Sequence, residues 1–333
     1  MELGVLINPR SRRNKSGFAD MRALLAAHPR VRHACVGEIE ALPEALRAMA
    51  EQGVDLLAVS GGDGTVQAVL SALQNDRAFA TPPTLAILAG GTTNMIADDV
   101  GLPGRPEPAL KRLIARLDDP MLDDPMLDDP ALRDPTLGGL AVERGVIRVE
   151  YRPDAAPLCG MFFGTAAICR AILFCRRTAE AVGLTAAAAS AATLAGLLGR
   201  RLLGRGGDDI LRGDDMTVRF DGGPPQPGSR LLALVTTLDR LILRSRPFWG
   251  PGAGALRYSE VAYPPSRLLR AVYPFLYGGA QRLLPSGDYR SLAADRIAFE
   301  MSCPFTLDGE LYDPAPGVPV VLTDGGRMRF LRC

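Results

Sequence analysis

The stretch Val54-Asp-Leu-Leu-Ala-Val-Ser-Gly-Gly-Asp-Gly-Thr65 constrains this chain more than any other. The mostly apolar run Val54–Val59 predicts a buried parallel strand, and Thr65–Leu73 predicts the helix that follows it. Between them, Gly61, Gly62 and Gly64 carry no Cβ, so the backbone can turn tightly and approach a ligand closely. Amides at the start of the next helix then face the turn, and the helix dipole favours an anion there. Asp63 in the same turn repels phosphate unless a cation lies between them. A hard cation such as Mg²⁺, held by oxygens and phosphates together, removes that conflict.

The chain around this turn is long enough, at 333 residues, for two domains with separate cores. Its formal net charge of +1 gives no general attraction to nucleic acid. Lys15 and Lys111 are the only lysines, so arginine is the expected phosphate donor. The six cysteines form no CxxC pair, and the chain opens without a signal-peptide pattern. Both point to reduced, inert thiols and a cytoplasmic protein, with contact at the inner membrane surface left open. No apolar run reaches the roughly 18–20 residues that span a bilayer.

Before the central turn, Leu3–Ile7 predicts a first strand ending at Asn8-Pro9. A basic loop, residues 10–17, and a helix from Phe18 to Ala27 are expected to follow. Ligands of such α/β units gather at the strands' carboxyl ends, where Asn8 and Ser11 are placed for nucleotide and Arg12, Arg13 or Lys15 for phosphate. Val31–Val36 and Leu42–Gln52 predict a second strand and helix. His28 and His33 lack partners at metal-ligand spacing and read as surface residues. After Pro82-Pro83 comes another apolar strand, Leu85–Leu88, which again ends in a glycine turn, Gly90-Gly91-Thr92-Thr93-Asn94. Two strands ending this way are far rarer by chance than one.

A helix is expected at Ala109–Leu117, and then a tandem repeat of Asp-Asp-Pro-Met-Leu units from Asp118 to Pro130. Proline at that period suits neither helix nor strand and predicts an exposed loop; it lacks the spacing of a calcium loop. From Val142 the pattern alternates. Val146–Tyr151, Met216–Phe220, Leu231–Leu238, Tyr258–Ala262, Arg296–Met301, Val318–Leu322 and Met328–Leu331 predict strands, and Asp221-Gly222 predicts a hairpin. Helical insertions are expected at 166–203 and 266–284. Arg267, Arg270 and Arg282 beside apolar positions leave membrane-surface contact open for the second. The fold expected is an α/β nucleotide-binding domain over 1–135, with an acidic Pro-rich loop at 118–135. A β-rich, sandwich-like domain with helical insertions follows over 140–333.

Gly61-Gly62-Asp63-Gly64-Thr65 resembles the signature shared by diacylglycerol kinases, sphingosine kinases, NAD kinases and, more loosely, phosphofructokinases. Gly91-Thr92-x-Asn94 resembles the lipid kinase motif Gly-Thr-x-Asn-Asp rather than the NAD kinase pattern, and Asn8-Pro9-x-Ser11 matches the end of the lipid kinases' first strand. Phe305-Thr306-Leu307-Asp308-Gly309-Glu310, in itself a tight turn, is similar to their Asp-Gly-Glu. The chain is thus identified as similar to the diacylglycerol kinase catalytic-domain family, with a NAD kinase/diacylglycerol kinase-like, three-layer N-terminal domain.

That resemblance implies an ATP- and Mg²⁺-dependent lipid kinase acting on a hydroxyl of diacylglycerol or a related lipid such as a sphingoid base. It implies ATP on Asn8, Ser11, Gly61, Gly62, Asp63, Gly64, Thr65, Gly91, Thr92 and Asn94, and metal on Asp63. Asp63, Asp308 and Glu310 are the implied catalytic residues, with Glu310 taking the proton from the acceptor. ATP and lipid are the partners, nucleic acid is not, and a homodimer is left open. Three departures stand out: Arg12 replaces a glycine and Met95 an aspartate, with Asp98 and Asp99 close by. The third is the acid-free stretch 250–257, where relatives often carry a metal-binding aspartate pair. NAD kinase and a non-catalytic lipid- or nucleotide-binding relative are the alternatives.

Overall fold

The structure, a computed structural model, describes residues 1–118, 140–182, 209–278, 284 and 287–332. The repeat from Asp119 onward, most of the first helical insertion and Arg282 lie outside the described residues. The chain divides into two compact units, Met1–Arg144 with Gly326–Cys333, and Gly145–Gly325. A single boundary near 135–140 therefore misses a second crossing, by which the C-terminal residues rejoin the first unit.

The first unit alternates strand and helix: β1 (Leu3–Ile7), α1 (Arg12–Ala27), β2 (Arg32–Cys35), α2 (Leu42–Glu51), β3 (Leu56–Gly61), α3 (Asp63–Asp76), β4 (Thr84–Ala89), α4 (Met95–Val100) and α5 (Pro106–Asp118). The strands pair in parallel in the order β2-β1-β3-β4, and Phe330 of the C-terminal segment adds beside Leu85. β1, β3 and β4 are buried along their whole length, which explains their continuous apolar sequence. Leu3, Val5 and Ile7 face Met21 and Leu25 of α1 and Leu110, Leu113 and Ile114 of α5. On the opposite face a Cβ on Gly4 would press against Val54 (2.8 Å) and meet Met49 of α2 (3.3 Å).

Two boundaries differ from expectation. α1 begins at Arg12, not Phe18, so the basic segment is mostly helix. No proline interrupts it, Arg and Lys favour helix, and the buried Asn14 anchors its first turn. α3 begins at Asp63 rather than Thr65, so the glycine turn is shorter than its sequence implies, with Gly62 alone at the cap position.

The second unit contains β5 (Leu140–Glu150), which enters from the first, then β6 (Leu158–Gly160), β7 (Phe162–Ala166), α6 (Ala167–Val182), β8 (Asp214–Phe220), β9 (Gln226–Thr236), β10 (Leu256–Ala262), α7 (Leu268–Tyr277), β11 (Tyr289–Ala294), β12 (Arg296–Met301), β13 (Phe305–Leu307), β14 (Glu310–Tyr312) and β15 (Val320–Arg332). Its pairings are antiparallel, in the order β14-β13-β7-β9-β8-β12-β15, with β10 between β9 and β11. Alternate residues such as Met216, Val218, Ile297 and Phe299 enter one core with Phe163, Tyr258 and Phe305. The Asp221-Gly222 hairpin has the two positive φ values, 50° and 73°, that a tight turn of this hand requires. The strands expected at 318–322 and 328–331 are one strand, which passes Gly326 at φ 86° where the chain changes units. The acid-free stretch also has a cause: Gly250, Gly252 and Gly254 lie against the backbone of Ser291, Ala293 and Ala294, where side chains would collide.

Candidate functional site

Strand order places the site in the first unit. The order 2-1-3-4 reverses direction between β1 and β3, and in such sheets ligands bind beyond the carboxyl ends of the strands at that switch. Asn8 follows β1 there, Gly61-Gly62 ends β3, and Gly90-Gly91 follows β4 on the far side.

These turns are braced to one another. The Asn8 side chain donates to the Thr65 hydroxyl (2.9 Å), and its own oxygen accepts the Arg10 amide (2.9 Å). The Gly90 amide donates to the Gly61 carbonyl (2.9 Å), and a Cβ on Gly91 would collide with Gly62 Cα. The glycines therefore serve first to let two turns meet backbone on backbone. Asn94, expected to touch nucleotide, is buried and committed to Gly91: its oxygen accepts the Gly91 amide (2.7 Å) and its nitrogen donates to the Gly91 carbonyl (3.0 Å). Its side chain shapes the turn, with its backbone at φ 56° in the left-handed region that Asn tolerates.

Asp63 joins the two halves. Its carboxylate oxygens accept the amides of Met95 (3.0 Å) and Ile96 (2.9 Å), the start of α4. Burial pushes its carboxyl up to about 6; the Ile96 and Met95 amides oppose that shift and the nearby Asp98 charge adds to it. Of the two acids close to Met95, Asp99 is buried in an ion pair with Arg144 (2.9 Å), whereas Asp98 is exposed. Met95 itself is buried.

Oxygen donors of this kind fit a hard cation. The Asp98 charge adds to the cost of ionising Asp63, a repulsion that a divalent ion relieves. No cluster of three or more His, Cys, Asp or Glu able to hold a metal occurs among the described residues. For phosphate, the Thr65 amide is taken by the Gly62 carbonyl (2.9 Å), which leaves the Asp63 and Gly64 amides as the first-turn donors of α3. Thr92 is exposed in the turn that follows β4, and Ser11 caps α1 without a side-chain bond to that helix.

Asn14 escaped the sequence reading. Fully buried, it donates to the carbonyls of Asn8 (2.8 Å) and Ser60 (2.9 Å) and accepts the Ser60 hydroxyl (2.9 Å), tying β1 to β3 at the switch. Arg13 gives its backbone amide to Gly90 (2.9 Å) and its side chain to Ala89 (3.3 Å). The stripe Phe18, Met21, Leu25, carried one turn back, lands on Asn14, and that periodicity was the available signal.

In the second unit, Asp308-Gly309 forms the two-residue turn between β13 and β14, with φ values of 50° and 90°. Phe305 stacks on Phe163 (5.3 Å) and on Tyr312 (5.5 Å), fixing the hairpin on β7. Asp308 is 2% exposed, and its carboxylate accepts the amides of Met161 (3.0 Å) and Phe162 (2.8 Å). Its carboxylate clamps the turn, the holding role that the resemblance allows it beside orienting the acceptor. Glu310 faces outward, 48% exposed, against Arg176 of α6 (3.2 Å), which also donates to the Gly309 carbonyl (2.8 Å). Arg176 was not anticipated.

Residues 2–121 match the family model described as the diacylglycerol kinase catalytic domain. That match, to the N-terminal third of the chain, is a likeness to the family. The match includes every site residue of the first unit, from Asn8 to Asn94. No curated protein sequence matches the chain. The crystal structure of a diacylglycerol kinase from Bacillus anthracis str. Sterne is similar over 99% of this chain and 97% of its own, with 17% identity and a TM-score of 0.58. A second structure from that strain, provisionally assigned to the same class, covers 98% and 96% with 20% identity and a TM-score of 0.61. Yeast NADH kinase matches with 10% identity, 99% and 83% coverage and a TM-score of 0.48, which carries no argument for this chain. The diacylglycerol kinase-like structures show that the two-unit fold extends beyond the matched 2–121 region.

Proposed function

We propose that this chain is an ATP- and Mg²⁺-dependent lipid kinase that phosphorylates a hydroxyl of diacylglycerol or a related lipid such as a sphingoid base. The observation that carries the reading is Asp63, which bridges two glycine turns at the switch point of a diacylglycerol kinase catalytic-domain region. In this reading the Asp63 and Gly64 amides bind phosphate oxygens, while Asn8, Ser11, Thr65 and Thr92 supply polar contacts to the nucleotide. Asp63 and Asp98 would hold the Mg²⁺ ion, whose chemistry is to neutralise phosphate charge during transfer. Gly61, Gly62, Gly91 and Asn94 act through the shape of the turns. Glu310 accepts the proton of the lipid hydroxyl, Asp308 fixes the turn that carries it, and Arg176 holds its carboxylate.

The test is transfer of labelled phosphate from ATP into a panel of lipid extract, diacylglycerol, sphingosine and NAD. Labelled lipid is expected, and its mobility names the acceptor. Label in NAD would move the assignment to a nicotinamide dinucleotide kinase, and ATP binding without transfer to a non-catalytic relative. Within the proposal, Glu310→Ala lowers kcat by about 10²–10⁴-fold while ATP binding survives.

A further inference from the structure

α7 is apolar on two faces. Ala271 and Phe275 point inward, with Phe275 edge-on to Trp249 (5.4 Å), and that face is accounted for by the core. Leu269, Tyr273 and Tyr277, spaced four residues apart, form a second face toward solvent, with Tyr273 68% exposed. The segment before Ser245 extends this surface. Leu243 and Arg244 both hold left-handed backbone conformations, at φ 58° and 56°, which leave Ile242 and Leu243 exposed. The Tyr277 hydroxyl donates to the Leu243 carbonyl (3.3 Å) and the Arg246 amide to the Leu276 carbonyl (2.6 Å), so segment and helix end form one surface. Ten large apolar side chains are exposed among the described residues, and six of them lie between Ile242 and Tyr277. Exposure so concentrated marks a contact surface rather than ordinary scatter.

Charge selects the occupant. Between Leu241 and Gly278 the chain has five arginines and a single acid, Glu260, which is occupied by Arg230 (2.5 Å) and the Tyr258 hydroxyl. Arg244, Arg246, Arg267 and Arg270 are exposed around the apolar face. A second copy of the chain would bring these arginines against their equals. We propose that α7 and the 242–246 segment form a docking surface for anionic lipid membranes, with Leu243, Leu269 and Tyr273 entering the headgroup boundary and the arginines meeting lipid phosphates. Tyrosine suits that boundary because its ring is apolar and its hydroxyl wet; short amphipathic helices with basic flanks lie in the interface plane. The inference does not rest on the kinase reading, since docking needs neither nucleotide nor turnover.

The experiment is flotation of the full chain with vesicles of phosphatidylcholine, with and without phosphatidylglycerol, over a salt series. Binding is expected only with the anionic lipid and should weaken as salt rises. Arg244→Glu with Arg270→Glu should weaken it by at least roughly thirtyfold, and Leu269→Ser with Tyr273→Ser to a similar extent. Both pairs alter exposed side chains, and unchanged melting curves would show that the fold is intact. Wild-type protein that does not float with anionic vesicles overturns the proposal, as does binding that both double variants retain. A concentration-dependent dimer that Tyr273→Ser abolishes would also overturn it, by assigning the face to a second copy.

Discussion

Asp63 and Asp308 sit in the two units in similar local settings. Each is next to glycine in a tight turn, and each carboxylate accepts two consecutive backbone amides, Met95 and Ile96 in one case, Met161 and Phe162 in the other. What separates them is what lies beyond those amides. Asp308 is 2% exposed, so its carboxylate is enclosed by the structure it holds. Asp63 keeps partial exposure at the start of α3, with the Asp98 charge near enough to raise its carboxyl further. The same backbone device thus gives an enclosed clamp in one unit and, in the other, a carboxylate that stays partly exposed, as the proposed metal role requires.

Substitution should separate the two roles. Asp63→Ala is expected to lower phosphate transfer by roughly a thousandfold or more, the scale of losing a metal-held phosphate contact, and to cost only about 1–2 kcal/mol of stability. Asp308→Ala should do the reverse. It strands two buried amides and puts alanine at φ 50°, a cost of about 3–4 kcal/mol seen as a lower urea midpoint. Asp308→Asn keeps the turn conformation and one acceptor and should recover part of that loss. If Asp308→Asn is stable yet as inactive as Asp63→Ala, the comparison fails and Asp308 belongs to the chemistry.

A smaller effect follows from protonation. Asp63 titrates near 6 against an ordinary 3.8, so its charged form is disfavoured in the folded chain. Its contribution is therefore most stabilising below about pH 4 and is lost as pH rises through about 6. The difference is at most about 3 kcal/mol, and less because the side chain is partly exposed. Melting temperatures without metal should show wild type losing ground to Asp63→Asn between pH 4 and 7. Adding Mg²⁺ should move that inflection to lower pH if Asp63 contacts the ion. An inflection indifferent to Mg²⁺ would remove Asp63 from the metal site.

The first unit was legible because its signals are local. Apolar runs ended by Gly61 and Gly90 imply strands with ligand-side turns, and strand order then places the switch between β1 and β3. The purpose of the glycines was less legible. Sequence shows that Gly62 and Gly91 lack side chains but not that the two turns touch, which depends on β3 and β4 being neighbours. Asn14 was hidden for a related reason: its partners Asn8 and Ser60 meet only through the sheet, and a polar residue among arginines reads as surface. In the second unit, alternation marked most long strands, but β13 and β14, three residues each, are too short to show a period. Asp308-Gly309 was visible as a turn, whereas its clamp on Met161 and Phe162 spans 147 and 146 positions of sequence.

The smallest expected effect tests the outward side of the same hairpin. Arg176 and Glu310 are each about half exposed, so their ion pair is worth less than about 1 kcal/mol, and Arg176→Gln should leave the urea midpoint nearly unchanged. If Glu310 accepts a proton from substrate, the same change should still lower kcat several-fold, because the guanidinium anchors both the Gly309 carbonyl and the carboxylate one residue on. KM for ATP should not move, and Arg176→Lys should restore much of the rate, since both contacts come from the single nitrogen Nη2 and an ammonium can make both. A kcat that Arg176→Gln leaves intact would make the pair an ordinary surface contact. The hairpin would then hold one clamped aspartate and no base, and the search for the proton acceptor would return to the first unit.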